Sequence, residues 1–391
     1  MFSERGAILK QLCLLLLTIF THFLLPSNVE AADLEQELLS ESGILIDADT
    51  GQVLYEKNAE KSMYPASLTK VATAIYAIET ADMDEMVTVS AKARAVEGTR
   101  VYLEEGEQVP LKKLIQGMLI NSGNDAGVAI AEHLGGTSEL FAEDLNSYLQ
   151  AVVGVRNTHF TNAHGLFNEN HTTTASDLAK TTQYAMKNST FREIFRTKKL
   201  KWEGEAWSTT LYHHHKMIRE NPYEGITGGK TGYVDESGHT LITTAKRSDL
   251  RLIAVTLKAE SQAWAYQDAE VLLDFGFDHF ETVTVPEGTK FTSDNGTTYR
   301  TGSDIVYSKM KGQDAELSVD DQGTLAINQD KESLDTSFVL EGDKEKQEAE
   351  KNKKAAADHT DKQSSFSYLW IIVMAGIGLL FFRKWIKRVV M

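Results

Sequence analysis

The chain has 391 residues, 42% of them hydrophobic and 25% charged, and its formal net charge is −16. This length leaves room for more than one domain and for a substantial core, at an ordinary globular composition. The acidic balance disfavours nucleic acid as a partner, because binding to phosphates calls for a basic surface.

The N-terminal segment has the pattern of an export signal. Two basic residues precede the apolar run QLCLLLLTIFTHFLL, and the small residues Val29 and Ala31 then fit the rule for signal cleavage. We therefore expect a signal peptide over residues 1–31. The single cysteine, Cys13, lies inside this run, so the mature chain would have no disulfide and would depend on its core.

The body of the chain has strand patterns at both ends and helical patterns between them. Residues 42–57 predict a hairpin, in which GILID and QVLYEK are strand-like and ADTG is the turn. Helical patterns dominate residues 66–187, and two strands and a helix are predicted from residue 239 onwards. The order predicts an α+β domain over residues 32–277, with an antiparallel sheet made from both chain ends and a helical insertion.

Two regions of different composition and pattern follow the body of the chain. Residues 278–340 contain short alternating segments separated by Gly, Asp and Asn, which predict a small β-rich domain with a spacer or docking role. Residues 341–365 are almost all charged or small and have no apolar period. This composition is typical of a solvated linker.

The C-terminus has the pattern of a membrane anchor. Residues 366–382 carry no charge, and the tail 383–391 that follows is basic. An apolar segment of this length predicts a short transmembrane helix, and the basic tail predicts a cytoplasmic C-terminus. The body would then lie at the cell membrane on its extracytoplasmic side. The alternative, a buried core helix, fits poorly with the charged linker and the basic tail.

The stretch YPASLTKVATA places Ser67 and Lys70 three residues apart at the start of a helical pattern. Positions i and i+3 of a helix lie on the same side, so the hydroxyl and the amine can meet. A lysine that is desolvated beside a serine can lose its proton and act as a base, which makes the serine a nucleophile without a histidine. The alternative is a surface serine and lysine on an ordinary helix.

Two later segments supply partners for such a nucleophile. LINSGNDAG holds Ser122 and Asn124 at a break between two helical patterns, where a hydroxyl and an amide can point into one cleft. GITGGKTGYVDESG holds Lys230, Thr231 and Gly232 immediately before a predicted strand. The lysine and the threonine could bind a carboxylate, and the glycine would let a substrate lie against the strand edge.

The letters GGKT also invite an interpretation as a phosphate-binding loop. That motif needs glycine six residues before its lysine, where this chain has Glu224, and it leads into a helix rather than a strand. We therefore set this interpretation aside.

Histidines and carboxylates near these segments allow other hypotheses. The run His213 to His215 could suggest a metal, but no second cluster completes a site, and an exposed loop is the expected structure. We expect no metal and no cofactor. His164 is expected to be a structural, hydrogen-bonding histidine in a loop near the cleft. Asp125 and Glu224 are expected to be supporting charges rather than catalysts.

The motifs SLTK, SGN and KTG, in this order, resemble those of the penicillin-binding proteins and serine β-lactamases. Their flanks, YPASLTKVATA, NAHGLFNENHTTTASDLAK and GGKTGYVDESGHTL, resemble the low-molecular-mass penicillin-binding proteins that are serine D-alanyl-D-alanine carboxypeptidases. The resemblance covers residues 35–280 and, more weakly, the β-rich segment. It implies a penicillin-binding, β-lactamase-like transpeptidase fold.

The resemblance assigns the reacting groups residue by residue. Ser67 would be the acylated nucleophile and Lys70 the base that takes its proton. Ser122 would pass a proton to the leaving nitrogen of D-alanine. The backbone N–H groups of Ser67 and Tyr233 would form the oxyanion hole.

The resemblance assigns the substrate-binding groups in the same way. Asn124 would bond the peptide carbonyl of the substrate. Lys230 and Thr231 would hold its terminal carboxylate, with Gly232 beside them on the strand.

The implied activity is removal of the terminal D-Ala from pentapeptide stems of peptidoglycan, with covalent inhibition by β-lactams. Two alternatives share the fold, a β-lactamase and a D,D-endopeptidase. The form Ser-Gly-Asn in the second motif favours the carboxypeptidase. A third alternative, a catalytically silent wall-binding or scaffolding protein, is disfavoured because every named position is filled.

Overall fold

A computed structural model gives the architecture of the chain, and the residues that the structure describes are 34, 36–220, 222–329 and 334–342. The predicted signal peptide, membrane anchor and basic tail lie outside them. Within these described ranges, no helix combines the length and the apolar character needed to cross a membrane.

The strands in chain order are β1 (Ser42–Asp47), β2 (Val53–Lys57), β3 (Met86–Thr88), β4 (Gln108–Pro110), β5 (Lys199–Glu203), β6 (Ser208–Tyr212), β7 (Ile226–Val234), β8 (Gly238–Arg247), β9 (Leu250–Ala259), β10 (Phe280–Val285), β11 (Lys290–Thr292), β12 (Thr298–Arg300), β13 (Ile305–Met310), β14 (Glu316–Val319), β15 (Thr324–Asn328), β16 (Thr336–Val339) and β17 (Glu341–Gly342).

The helices are α1 (Thr69–Thr80), α2 (Ala91–Ala95), α3 (Leu111–Ile120), α4 (Asn124–Gly135), α5 (Ser138–Tyr148), α6 (Ala175–Ala185), α7 (Ser189–Phe195), α8 (Lys216–Arg219) and α9 (Gln262–His279). A 3₁₀ turn, Ala66–Leu68, leads into α1, and a π-helical turn, Leu149–Val153, follows α5.

A five-stranded antiparallel sheet in the order β2-β1-β9-β8-β7 forms the centre of the body. Both chain ends contribute strands to it, as the sequence predicts. Successive side chains of a strand point to opposite faces. Accordingly Ile44 and Ile46 of β1 join the core of the helical insertion, while Leu45 lies on the other face, against α9. The body is therefore a sheet between two helical layers.

Helix α1 runs through the helical layer and is buried along most of its length. Its apolar side chains pack in the same core cluster as those of α3, α4 and α6. Such burial fixes the helix rigidly, so the residues at its N-terminus are held in place by the packing of the whole layer.

The structure corrects the prediction that Lys230, Thr231 and Gly232 come immediately before a strand. All three lie within β7, the last strand of the sheet. Glycines have weak strand propensity, so this glycine-rich segment has no strand pattern of its own. Pairing with residues 238–245 of β8 makes residues 226–234 a strand, with a register shift between Ile226 and Gly228.

The C-terminal strands form three small antiparallel sheets, β10-β13, β11-β12-β17 and β14-β15-β16. They enclose a separate apolar cluster that includes Tyr299, Ile305 and Ile327. Glu341 and Gly342, the first two residues of the predicted linker, pair with β12. The rest of the linker lies outside the described residues.

Candidate active site

Ser67 sits in the 3₁₀ turn that precedes α1, one turn before Lys70 on the buried helix. The residue before it, Ala66, has a left-handed backbone with φ of 48°. Such strain is costly for a residue with a Cβ and persists only where the surroundings hold it. Here the hydroxyl of Thr240 donates to the carbonyl oxygen of Pro65 at 3.0 Å, which ties the turn to β8.

The amine of Lys70 is completely buried and has three polar neighbours. Its Nζ lies 2.7 Å from Ser67 Oγ, 2.8 Å from Asn124 Oδ1 and 2.7 Å from the backbone oxygen of His164. Burial lowers the pKa of Lys70 well below its ordinary value, and the charge of Lys230 lowers it further, while Asp125 opposes the shift.

These contacts fix how a neutral Lys70 is oriented. A neutral amine has two N–H donors and one lone pair. The oxygens of Asn124 and His164 can only accept, so they take the two N–H groups. The lone pair is then directed at Ser67, whose hydroxyl can donate to it. The arrangement is that of a base poised to take the proton of Ser67.

Ser122 and Asn124 lie at the junction between α3 and α4, as predicted. Ser122 is the second strained residue of the site, with φ of 61°. Asn124 is oriented by both ends of its amide, because Nδ2 donates to the backbone oxygen of Glu97 at 2.7 Å while Oδ1 accepts from Lys70. Both side chains are buried, at 5% exposure.

Lys230 brings the strand β7 to the junction between α3 and α4. Its Nζ donates to Ser122 Oγ at 3.0 Å and to the backbone oxygen of Thr231 at 2.7 Å. Burial lowers the pKa of Lys230 to about 7. A cation can therefore be present at Lys230 near neutral pH.

The other residues of the third motif lie on the same edge strand. A Cβ at Gly232 would stand 2.9 Å from the backbone nitrogen of Ser67 and 2.4 Å from the hydroxyl of Thr240. Only glycine lets β7 approach the nucleophile this closely. Thr231 is half-buried, and Tyr233 is 54% exposed with its hydroxyl donating to Asp235 at 2.9 Å.

The structure contradicts the expectation that the histidine run is an exposed loop. His213 and His215 are buried, and His214 is half-buried. His215 lies under Gly229, where a Cβ would stand 2.4 Å from its ring, and its Nε2 is 2.9 Å from Thr243 Oγ1. Burial lowers the pKa of His215 to about 3, so the ring is neutral. Polar composition alone misled the sequence interpretation.

No group of three or more metal-ligating side chains comes together in the part of the chain that the structure describes. The rings of His213 and His215 meet edge-on, with their centroids 6.3 Å apart.

His164 contributes its backbone rather than its ring to the site. Its carbonyl oxygen accepts from Lys70, whereas Nδ1 of the ring accepts from the backbone nitrogen of Leu166 at 3.2 Å. Burial lowers the pKa of His164 to about 3, with a further contribution from Lys70. The sequence pointed to a structural histidine near the cleft, but it carried no signal for a backbone acceptor.

Asp125 supports the second motif from within the protein. It is fully buried and accepts from the backbone nitrogens of Val101, at 3.0 Å, and Leu103, at 3.2 Å. The carboxylate therefore holds the loop before β4 against the N-terminus of α4. Glu224, the other carboxylate noted in the sequence, lies in the loop before β7.

The structure thus gathers two hydrogen-bonded sets, one formed by Ser67, Lys70 and Asn124 and the other by Ser122 and Lys230. Ser122 and Asn124 join the two sets through the chain, and Thr231, Gly232 and Tyr233 follow Lys230 on β7. An antiparallel sheet with a helical insertion, together with two serines that each contact a buried lysine, defines the penicillin-binding, transpeptidase-like class of fold.

Comparison with known proteins shows which family within this class of fold the chain resembles. A family model described as D-alanyl-D-alanine carboxypeptidase, peptidase S11, matches residues 28–261, more than half of the chain. The chain is 33% identical over 255 residues to the D-alanyl-D-alanine carboxypeptidase DacF of Bacillus subtilis, covering 62% of this chain and 63% of that protein. It is 32% identical over 280 residues to DacA of Escherichia coli, covering 65% of each.

A solved structure extends the likeness beyond the residues of the family model. Penicillin-binding protein 6B from Escherichia coli matches with a TM-score of 0.67 at 28% identity, covering 81% of this chain and 98% of that one. The chain belongs to the peptidase S11 family of D-alanyl-D-alanine carboxypeptidases, which confirms the resemblance seen in the motifs. The sequence matches span 63% and 65% of the length of the two curated relatives.

Proposed function

We propose that the chain is a serine D-alanyl-D-alanine carboxypeptidase that removes the terminal D-Ala from pentapeptide stems of peptidoglycan. The observation that carries the proposal is the buried amine of Lys70, 2.7 Å from Ser67 Oγ and otherwise bonded only to acceptors. Family membership and the printed names of the relatives support the same reaction.

The first half of the reaction is acylation. Ser67 gives its proton to Lys70 while Oγ bonds to the carbonyl carbon of the penultimate D-Ala. The C–N bond to the terminal D-Ala then breaks, and the leaving nitrogen takes a proton from Ser122. Ser122 regains a proton from Lys70, which received it from Ser67. The second half is hydrolysis, in which water cleaves the ester and regenerates Ser67.

The remaining groups bind the substrate and its developing charge. Lys230 and Thr231 hold the terminal carboxylate, and Asn124 bonds the peptide carbonyl next to the scissile bond. The backbone N–H groups of Ser67 and Tyr233 stabilise the oxyanion. The close approach of Gly232 to the nitrogen of Ser67 supports this role, because it brings β7 beside the nucleophile.

Two further parts of the proposal rest on the sequence. We propose that residues 1–31 direct export and that residues 366–382 anchor the chain in the cell membrane, with the body on the extracytoplasmic side. The apolar, uncharged segment and the basic tail after it support the anchor. β-Lactams, which resemble the D-Ala-D-Ala end, would acylate Ser67.

In the test, the full chain is incubated with an L-Ala-γ-D-Glu-L-Lys-D-Ala-D-Ala pentapeptide. The release of free D-Ala is measured over time. Mass spectrometry of the chain incubated with benzylpenicillin locates the covalent adduct. We expect D-Ala release and an adduct on Ser67, with both lost in Ser67→Ala. The matched control is Ser62→Ala, an exposed serine on the same segment. An adduct without release would indicate a silent penicillin binder and would contradict the proposal.

The same samples separate the two alternatives of similar fold. A β-lactamase would release the penicilloyl group within seconds, whereas we expect the adduct to persist. An endopeptidase would cleave a crosslinked dimer of stem peptides faster than the pentapeptide.

A further inference from the structure

A partly exposed aromatic cluster lies beside the second motif and has no role in the proposed reaction. It consists of Arg100, Tyr102 and Trp207, and we call it the aromatic shelf. Tyr102 is 51% exposed. The ring of Trp207 meets it edge-on with centroids 5.0 Å apart, and the guanidinium of Arg100 lies 5.4 Å from its centroid.

Backbone contacts connect the shelf to the catalytic group. The backbone nitrogen of Asn124 donates to the carbonyl oxygen of Thr99 at 2.7 Å. The side chain of Asn121, one residue before Ser122, donates to the carbonyl oxygen of Arg100 at 3.0 Å. Hydrogen bonds therefore join the segment that begins the shelf directly to the segment that carries Ser122 and Asn124.

A buried carboxylate holds Tyr102 in a strained position. Tyr102 has φ of 59°, a conformation that bulky side chains rarely adopt. Asp125 accepts from the backbone nitrogens on both sides of it, those of Val101 and Leu103. Strain of this kind persists where the surroundings over-determine it, and it clusters at functional sites.

A second buried carboxylate holds Trp207 against Tyr102. Glu107 is 3% exposed and accepts from the backbone nitrogens of Glu104, at 3.0 Å, and Glu205, at 3.2 Å. It thus fastens the β5–β6 turn, which carries Trp207, to the loop that carries Tyr102. Two buried carboxylates therefore hold the segments that carry the exposed ring of Tyr102 and the half-buried ring of Trp207.

We propose that the aromatic shelf binds the part of the stem peptide that precedes D-Ala-D-Ala, and this rests on the proposed function. The contacts of the shelf with the segment of Ser122 and Asn124 favour this occupant, because Asn124 binds a peptide carbonyl of the stem in the proposed function. Rigid aromatic rings bury a large area at a small cost in entropy. Arg100 offers a guanidinium for a carboxylate of the stem.

The test compares long and short substrates on the full chain. Tyr102→Asn removes the ring but keeps a residue that tolerates a left-handed backbone, so the loop can retain its path. We expect kcat/KM for the L-Ala-γ-D-Glu-L-Lys-D-Ala-D-Ala pentapeptide to fall about tenfold, with most of the change in KM. The values for acetyl-D-Ala-D-Ala and for acylation by benzylpenicillin should stay within about twofold.

Two further variants make the comparison specific. Arg100→Gln should reduce the preference for the pentapeptide with a free γ-D-Glu α-carboxylate over the same peptide with that group amidated. Tyr212→Ala is the matched control, because this tyrosine is 50% exposed on β6 of the same hairpin but lies outside the shelf. Tyr212→Ala should leave kcat/KM for the pentapeptide and for acetyl-D-Ala-D-Ala unchanged, as well as the rate of acylation by benzylpenicillin.

The outcomes separate this proposal from the proposed function. Equal losses on all probes would show that the shelf only supports the wall of the cleft, and no loss on any probe would show that it binds nothing. Either result overturns the shelf and leaves the carboxypeptidase intact. A folded wild-type chain that releases D-Ala from neither peptide would overturn the proposed function and the shelf with it.

Discussion

Gly165 lies directly against the peptide that precedes the nucleophile. A Cβ at position 165 would stand 1.8 Å from the carbonyl oxygen of Ala66 and 3.0 Å from the backbone nitrogen of Ser67. Gly165 itself has φ of 87°. The loop after His164 therefore supports the strained turn from behind while the same loop supplies an acceptor to Lys70.

This contact predicts that Gly165→Ala damages both stability and acylation. The clash with backbone and the left-handed conformation together should lower the free energy of unfolding by about 3 kcal/mol. Urea denaturation and the rate of penicillin acylation measure the two effects.

Gly136→Ala is the matched control for that substitution. Gly136 has φ of 75°, but a Cβ there would meet nothing within 4 Å. It should cost about 1 kcal/mol from backbone strain alone and leave acylation unchanged. Equal costs for the two variants would contradict the role given to Gly165.

The second prediction concerns the pH dependence of acylation. Because burial lowers the pKa of Lys230 to about 7, the cation that holds a carboxylate is lost as the pH rises through this value. The second-order rate constant for benzylpenicillin should fall about tenfold per pH unit above that pKa. The methyl ester of benzylpenicillin, which lacks the carboxylate, should not show this fall. A flat profile for the acid between pH 7 and pH 9.5 would contradict the assignment.

The third prediction concerns stability, and its sign follows from the same burial. Between pH 7 and the ordinary lysine pKa of about 10.4, the unfolded chain binds a proton at Lys230 that the folded chain does not. The contribution of Lys230 to stability therefore rises with pH in this window, and below it the fold bears the full cost of a buried charge.

Lys230→Met removes that cost while it abolishes carboxylate binding. We expect the melting temperature at pH 6 to rise by about 4 °C over wild type, with the difference shrinking towards pH 10. Calorimetry at several pH values measures it. If the melting temperature of Lys230→Met instead rises further above that of wild type as the pH increases, folding does not lower the pKa of Lys230.

The fourth prediction concerns the junction between the body and the C-terminal strands. Ser308 is fully buried and donates to Asp47 Oδ2 at 2.6 Å, and Thr282 donates to the same oxygen at 3.1 Å. Ser308→Ala leaves that carboxylate with a lost partner and should cost about 2 kcal/mol of unfolding free energy. Ser337→Ala, at an exposed position of β16, should cost almost nothing in the same urea titration. A cost for Ser308→Ala no greater than that for Ser337→Ala would show that the hydrogen bond from Ser308 to Asp47 does not stabilise the junction.

The sequence predicted which reactive residues lie close together better than it predicted the contacts that hold them there. Ser67, Lys70 and Ser122 stand out because few residue types can act as nucleophile or base. Ser67 lies three residues before Lys70, and Ser122 lies two residues before Asn124, so each pair forms a short motif. The hairpin β1–β2 and the helix α9 also followed from periodicity. Neither the acceptor at His164 nor the contact of Gly165 with Ala66 leaves a local pattern, because each joins segments roughly a hundred residues apart.

Two errors have the same physical origin. Lys230, Thr231 and Gly232 were predicted to precede a strand and lie within one, and the run His213 to His215 was predicted as exposed and is mostly buried. Both expectations came from composition. In the fold Gly229 of β7 leaves room for the ring of His215 behind it, so the packing of the strand and the burial of this histidine depend on each other.

In the proposed reaction, a neutral Lys70 takes the proton of Ser67. The most direct test is intact-protein mass spectrometry of the wild-type chain and of Lys70→Met after incubation with benzylpenicillin, with circular dichroism to verify folding. Because the methionine fills the same space without a lone pair on nitrogen, we predict one adduct on Ser67 in the wild type and none in the folded variant. An adduct that forms in Lys70→Met at the wild-type rate would contradict the account.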